Sequence, residues 1–229
     1  PAHSYGADVI VTGTPVVAGL AVGPVIRPGA APEPDTEVAE LPPAERQDEA
    51  ARFTAAAQTV AARLTARAET ATGPAAEVLT ATAALAQDRG WLGAGTALIA
   101  DGTPAPAAAT AAIEQFVEMF TKVGGLMAER VTDLRDIRDR VRAELLGLPE
   151  PGIPMPETPS ILCADDLAPV DTAGLDPERV IALVTRLGGP SSHTAIIARQ
   201  LGIPCVVGVA ELDRVPTGAT VFVDGERGA

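Results

Sequence analysis

The chain has 229 residues, with 30 acidic against 17 basic side chains and a formal net charge of -13. That acidic balance argues against a nucleic-acid surface and favours basic protein partners, with solubility alone an equally good reason for it. No apolar run reaches the roughly eighteen residues that a membrane span needs, residues 1–7 lack the basic start and apolar core of a secretion signal, and Cys163 and Cys205 make neither a disulfide framework nor a zinc site. A reduced, cytoplasmic protein is expected.

Over residues 9–26 β-branched side chains alternate with Gly and Pro, which predicts two short strands, 9–11 and 20–26, separated by a turn. The Pro/Gly/Ala stretch 27–34 then breaks all pattern. From 43 to 71 the chain is Ala, Glu, Arg and Gln with Phe53, Ala57, Val60 and Leu64 at helical spacing, one face of a long helix. Helical patterns continue over 75–87, 90–100, 104–123 and 126–146, divided by Gly73-Pro74, Asp101-Gly102-Thr103-Pro104 and Gly124-Gly125. Joints this short favour antiparallel neighbours and a bundle of about four main helices, one of them broken. Abundant Ala and few aromatics suit helices packed through small residues.

A proline-rich run, 147–156, ends the helical region. Strands are predicted again at 160–164, 180–184, 205–207 and 220–224, with a helix at 195–201, so the chain returns to a layered α/β unit. Strands on both sides of the helices imply a bundle, residues 35–148, inserted into an α/β subdomain made of 1–34 and 149–229.

Within that second half, Gly188-Gly189-Pro190-Ser191-Ser192-His193-Thr194 delivers one imidazole to a helix start. Gly188 and Gly189 can take backbone conformations closed to other residues and let a phosphate approach the main chain, and Ser191 or Ser192 can cap the helix. A helix N-terminus attracts anions and disfavours an imidazolium, and the neutral ring is the nucleophilic form. The plainer reading is a histidine that caps a helix or fills a polar gap. Against it stands the block Gly202-Ile203-Pro204-Cys205-Val206-Val207-Gly208, a helix stop and a short strand that complete a compact turn, nucleophile, helix and strand unit.

The block from Gly188 to Gly208 resembles the phosphohistidine signature of the phosphoenolpyruvate-utilising enzymes. Three further stretches resemble the N-terminal domain of Enzyme I of the sugar phosphotransferase system: Gly13-Thr14-Pro15-Val16-Val17-Ala18-Gly19-Leu20-Ala21-Val22-Gly23-Pro24, Glu129-Arg130-Val131-Thr132-Asp133-Leu134-Arg135-Asp136-Ile137, and Ala164-Asp165-Asp166-Leu167-Ala168-Pro169. The resemblance implies a two-subdomain fold, a swivelling phosphohistidine α/β subdomain with an inserted helical subdomain that binds the carrier protein HPr. It further implies an N-terminal piece of a longer protein. The phosphoenolpyruvate site and Mg2+ would belong to a C-terminal barrel, and this domain would hold no cofactor or metal of its own.

In the family the histidine equivalent to His193 takes phosphate from phosphoenolpyruvate on Nε2 and hands it to a histidine of HPr. The resemblance makes Thr172 the hydroxyl partner that would bond Nδ1 and leave Nε2 free, with Gly188, Gly189, Ser191, Ser192 and Thr194 around the phosphate. Leu85, Trp91, Met127 and Arg130 would lie on the HPr-docking face. Trp91, the only Trp, is either an interface anchor or a core plug. Two departures stand out: Gly73-Pro74-Ala75-Ala76 and Arg89-Gly90 occupy places that are commonly acidic, and Arg186 stands where an Asp often precedes the glycines. His3 is given no role. Competing readings are the phosphohistidine domain of a pyruvate phosphate dikinase or phosphoenolpyruvate synthase, and a non-catalytic helical adaptor.

Overall fold

The computed structural model describes residues 9–167, 169–172 and 174–229; His3, Ala168 and Ala173 lie outside the described residues. The chain forms two compact units, one from residues up to 28 together with 153–229, the other from 29–152.

The first unit is a six-stranded mixed sheet: β1 (Thr14–Val17), β2 (Leu20–Ile26), β3 (Ser160–Ala164), β4 (Val180–Thr185), β5 (Cys205–Val207) and β6 (Thr220–Asp224) in the order β1-β5-β4-β3-β2-β6. Strands β2, β3, β4 and β5 run parallel, and β1 and β6 close the two edges antiparallel. All residues of β3 and β5 are buried, as expected of parallel strands covered on both faces. Side chains alternate between the faces: Ile161, Cys163, Ala182, Val184 and Val206 join one core, and Leu162, Leu183, Cys205 and Val207 join another. The second core also takes Ala198 and Ile203.

The segment 9–11 is a correction to the sequence reading. It is not a strand, and Val9 and Ile10 are exposed. The first strand falls instead at Thr14–Val17, where Thr14 pairs with Val207 and Pro15 with Val206; apolar alternation cannot supply a neighbouring strand to pair with.

The second unit is a helical bundle of α1 (Arg46–Thr70), α2 (Pro74–Ala86), α3 (Arg89–Ala100), α4 (Ala105–Val123), a four-residue α5 (Leu126–Glu129) and α6 (Val131–Leu146). Phe53, Ala57, Val60 and Leu64 of α1 are buried, as their spacing requires, and α4 packs through Ala105, Ala108, Ala109 and Ala112. The helix predicted over 126–146 is interrupted at Arg130, whose amide donates to the Met127 carbonyl at 3.1 Å and tightens the chain out of the α-helix. Both crossings between units sit just outside a reciprocal bridge, in which the amides of Gly29 and Gly152 each donate to the other's carbonyl at 2.9 and 3.1 Å. Arg142 of α6 holds the adjoining segment by donating to the carbonyls of Pro32 and Glu33. Residues 29–34 and 149–152 therefore belong to the helical unit.

Candidate functional site

Strands β3 and β4 lie side by side and parallel, so their carboxyl ends open at the same edge, the place where ligands gather in open α/β sheets. The chain leaving β3 forms the short helix α7 (Pro169–Thr172), and the chain leaving β4 leads to α8 (His193–Leu201). Past their ends the two chains stay tied. The Arg186 amide donates to the Ala164 carbonyl at 3.0 Å, the Leu187 amide donates to the Asp165 carbonyl at 2.9 Å, and Arg186 Nε donates to Asp165 Oδ1 at 2.8 Å. The Arg186 guanidinium keeps the exposed Asp165 carboxyl below the usual carboxylate range. Sequence reasoning noted Arg186 only as a departure. Its pairing with a residue 21 positions earlier leaves no local signal.

The turn itself is set by Gly188. Its φ is +92°, a region that favours glycine, and a Cβ there would stand 3.2 Å from the Ser192 side chain. Gly189 has open space where a Cβ would be. Ser192 is the helix cap, its Oγ accepting from the Ala195 amide at 3.3 Å, while Ser191 is exposed. Gly202, with φ +68°, closes the other end of α8 by donating to the Ala198 carbonyl.

His193 is the first residue of α8 and half-buried. The first amides of a helix have no acceptor within it, so those of His193 and Thr194 leave donors and the positive end of the helix dipole beside the ring. Thr194 itself is fully buried, and its hydroxyl has no hydrogen-bond partner. Its amide, rather than its side chain, is what it can offer a group at the surface.

Thr172 is buried and its Oγ1 lies 3.1 Å from His193 Nε2. Proximity to His193 agrees with the sequence reading, but the nitrogen does not. The hydroxyl was expected on Nδ1 with Nε2 left open, whereas Nε2 is the atom it engages. A nucleophilic Nε2 therefore has to give up the Thr172 contact by a movement of the ring or of the hydroxyl.

The four residues expected to meet a partner protein separate. Trp91 is a correction: it is 0% exposed, stacks edge-on against Phe53 with centroids 5.4 Å apart, and spends its indole N–H on the Leu85 carbonyl at 3.0 Å. An indole satisfied on both its apolar body and its polar tip is a core plug. Leu85 is half-buried against the same core. Met127 is exposed, and Arg130 is partly exposed with its Nε 3.7 Å from Asp133. Met119, Val123 and Leu126, which the sequence reading passed over, are exposed apolar side chains in the same stretch of α4 and α5.

Among the described residues no three or more His, Cys, Asp or Glu side chains come together to hold a metal ion, and no helix is long and apolar enough to cross a membrane. Burial pushes the thiols of Cys163 and Cys205 up to about 11.

Comparison with known proteins adds to this geometry. Residues 12–130 match the family described as PEP-utilising enzyme, N-terminal, and residues 156–228 match PEP-utilising enzyme, mobile domain. The chain is 40% identical over 222 residues to the phosphoenolpyruvate-protein phosphotransferase of Streptomyces coelicolor, covering 96% of this chain and 40% of that protein. It is 46% identical over 139 residues to the phosphoenolpyruvate-protein phosphotransferase of Haloferax volcanii, covering 57% of this chain and 23% of the relative. It thus spans less than half the length of these curated relatives. Among solved structures, an Enzyme I solution structure superposes with a TM-score of 0.74 at 30% identity, covering 96% of this chain and 91% of the other. The N-terminal domain of Enzyme 1 - Nitrogen superposes with a TM-score of 0.63 at 26% identity, covering 96% and 92%. On the combined length of these matches, the chain belongs to the phosphoenolpyruvate-utilising enzymes, as an N-terminal domain of the Enzyme I type.

Proposed function

We propose that this chain accepts a phosphoryl group on His193 and exchanges it reversibly with the histidine-containing carrier HPr, as the histidine-bearing part of a phosphoenolpyruvate-protein phosphotransferase. The observation that carries the reading is the placement of a half-exposed imidazole at the first position of α8, where a helix's first amides have no acceptor within it, 3.1 Å from the Thr172 hydroxyl. In the transfer the Nε2 lone pair attacks phosphorus while the bond from phosphorus to the carrier's nitrogen breaks, its electron pair staying on that nitrogen. The transition state is metaphosphate-like and anionic, so fixed donors at the helix start stabilise it without a general base. Gly188 shapes the turn, Gly189 and Ser191 leave it open to solvent, and Ser192 holds the helix start. Thr172 orients the ring at rest and releases Nε2 for reaction.

Docking of HPr falls on the bundle in this reading, with Met127, Arg130 and Leu85 as contacts and Trp91 supporting them from the core. No metal is needed on this chain. Mg2+ and phosphoenolpyruvate belong with the remainder of a full-length protein, and the cytoplasm is where such a carrier chain would operate. The experiment is incubation with phospho-HPr followed by counting of acid-labile phosphate on wild type, Thr172→Val and His193→Ala. Wild type should take up one phosphate per chain, Thr172→Val should load at an altered rate on an intact fold, and His193→Ala should take none. Full labelling of His193→Ala would overturn the assignment, and unchanged rates in Thr172→Val would remove that residue from it.

A further inference from the structure

Helix α8 shows two unlike faces. Thr194, Ala195 and Ala198 are buried, whereas Ile196, one turn on from the half-buried His193, leaves 45% of its surface in water. Residues three apart on a helix are neighbours, with Cβ atoms about 5–6 Å apart, so Ile196 stands beside the imidazole. Before the turn, Leu187 is 47% exposed. Its backbone is fixed at both groups, the amide donating to the Asp165 carbonyl and the carbonyl accepting from the Thr185 hydroxyl at 2.8 Å. Gly188, which follows it, closes on Ser192, which precedes His193. One large apolar side chain thus lies in water one helical turn from the acceptor and another at the start of the turn that leads to it, neither with a task in the chemistry described above.

We infer that Leu187 and Ile196 form an apolar collar which HPr covers with apolar side chains around its own phosphohistidine while phosphorus crosses to His193. The inference rests on the proposed exchange with HPr. An in-line transfer brings the reacting atoms to about 3–3.5 Å, so a protein surface that reaches the His193 ring also covers side chains one helical turn away. Covering them removes water from a phosphorus–nitrogen bond that water would hydrolyse. It also turns apolar surface into binding free energy at the moment of transfer. The net charge of -13 favours a partner of opposite charge at long range. The collar supplies the short-range contact.

The test loads Leu187→Asp, Ile196→Asp and the double variant from two donors: phospho-HPr, and phosphoramidate, which is too small to need the collar. Both positions are exposed, and an acidic side chain in the first turn of a helix is tolerated; the unfolding midpoint checks the fold. The expected result is a ratio of the two loading efficiencies, phospho-HPr to phosphoramidate, that falls at least about tenfold in the double variant, chiefly through KM for phospho-HPr, with Leu187→Ala/Ile196→Ala between it and wild type. A ratio within about twofold of wild type overturns the collar, whether both rates hold or both fall together. A wild-type chain that loads from phosphoramidate and never from phospho-HPr overturns the exchange itself, and the collar with it.

Discussion

The bundle and the start of α8 hold their polar side chains to different degrees. In the bundle two buried arginines and the one Trp are tied to specific partners. Arg140 pairs with Asp136 and with Glu150 at 2.7 Å each, Arg142 donates to two backbone carbonyls and faces Asp35, and the Trp91 indole is spent on Leu85. At the start of α8, among the described residues, Ser192 caps the helix at 3.3 Å, Thr172 Oγ1 lies 3.1 Å from His193 Nε2, and the buried Thr194 hydroxyl has no partner. A bundle built this way keeps one shape, which suits the docking role proposed for it. A helix start whose Thr172 contact can be exchanged for another at small cost suits the proposed phosphate acceptor, which would change hydrogen-bond partners at every cycle.

Breaking the bundle side of that contrast should have the largest effect. Trp91→Ala leaves a cavity under α3 and removes the contact with Phe53, so it should cost about 3–5 kcal/mol in urea unfolding. A loss near zero would return Trp91 to the docking face. Next comes the turn. Gly188→Ala forces a Cβ into left-handed backbone against Ser192, for about 1–3 kcal/mol of strain, while Gly189→Ala meets open space and should change the unfolding temperature little. Equal effects at the two glycines would mean that the turn is not shaped as described. The last effect, absent at neutral pH, concerns the sheet. The buried thiols of Cys163 and Cys205 ionise only near 11 when folded but at about 8.5 when unfolded. Between those values the unfolded chain has lost protons the folded chain keeps, so stability falls as pH rises through that window and is unaffected by the thiols below it. Replacing both by Ala should flatten the slope of unfolding free energy against pH there. An unchanged slope would mean that the strands admit solvent.

What could be read from the sequence, and what could not, divides along the same line. The turn at Gly188, the cap at Ser192, the helix behind it and the stop at Gly202 are each written in neighbouring residues, because positive φ, capping and helix termination are local properties. The apolar face of α1 was equally legible, since Phe53, Ala57, Val60 and Leu64 need only helical period to find one another. Trp91 was not, for its burial depends on Phe53, 38 positions away, and on a carbonyl six residues back. Nor was the nitrogen that Thr172 engages: it follows from how the chains leaving β3 and β4 meet in space, with Arg186 and Asp165 among the ties between them. The segment 9–11 failed for the same reason, since a strand needs a partner and Cys205–Val207 lies almost two hundred residues on.

The central claim is that one histidine carries the phosphate, and phosphohistidine mapping after exposure to phospho-HPr tests it most directly. The account expects one equivalent of acid-labile, alkali-stable phosphate, recovered on the peptide containing His193 and lost again when unphosphorylated HPr is added in excess. Phosphate recovered on any other residue, or a His193 peptide that stays unlabelled beside a fully charged carrier, would contradict it.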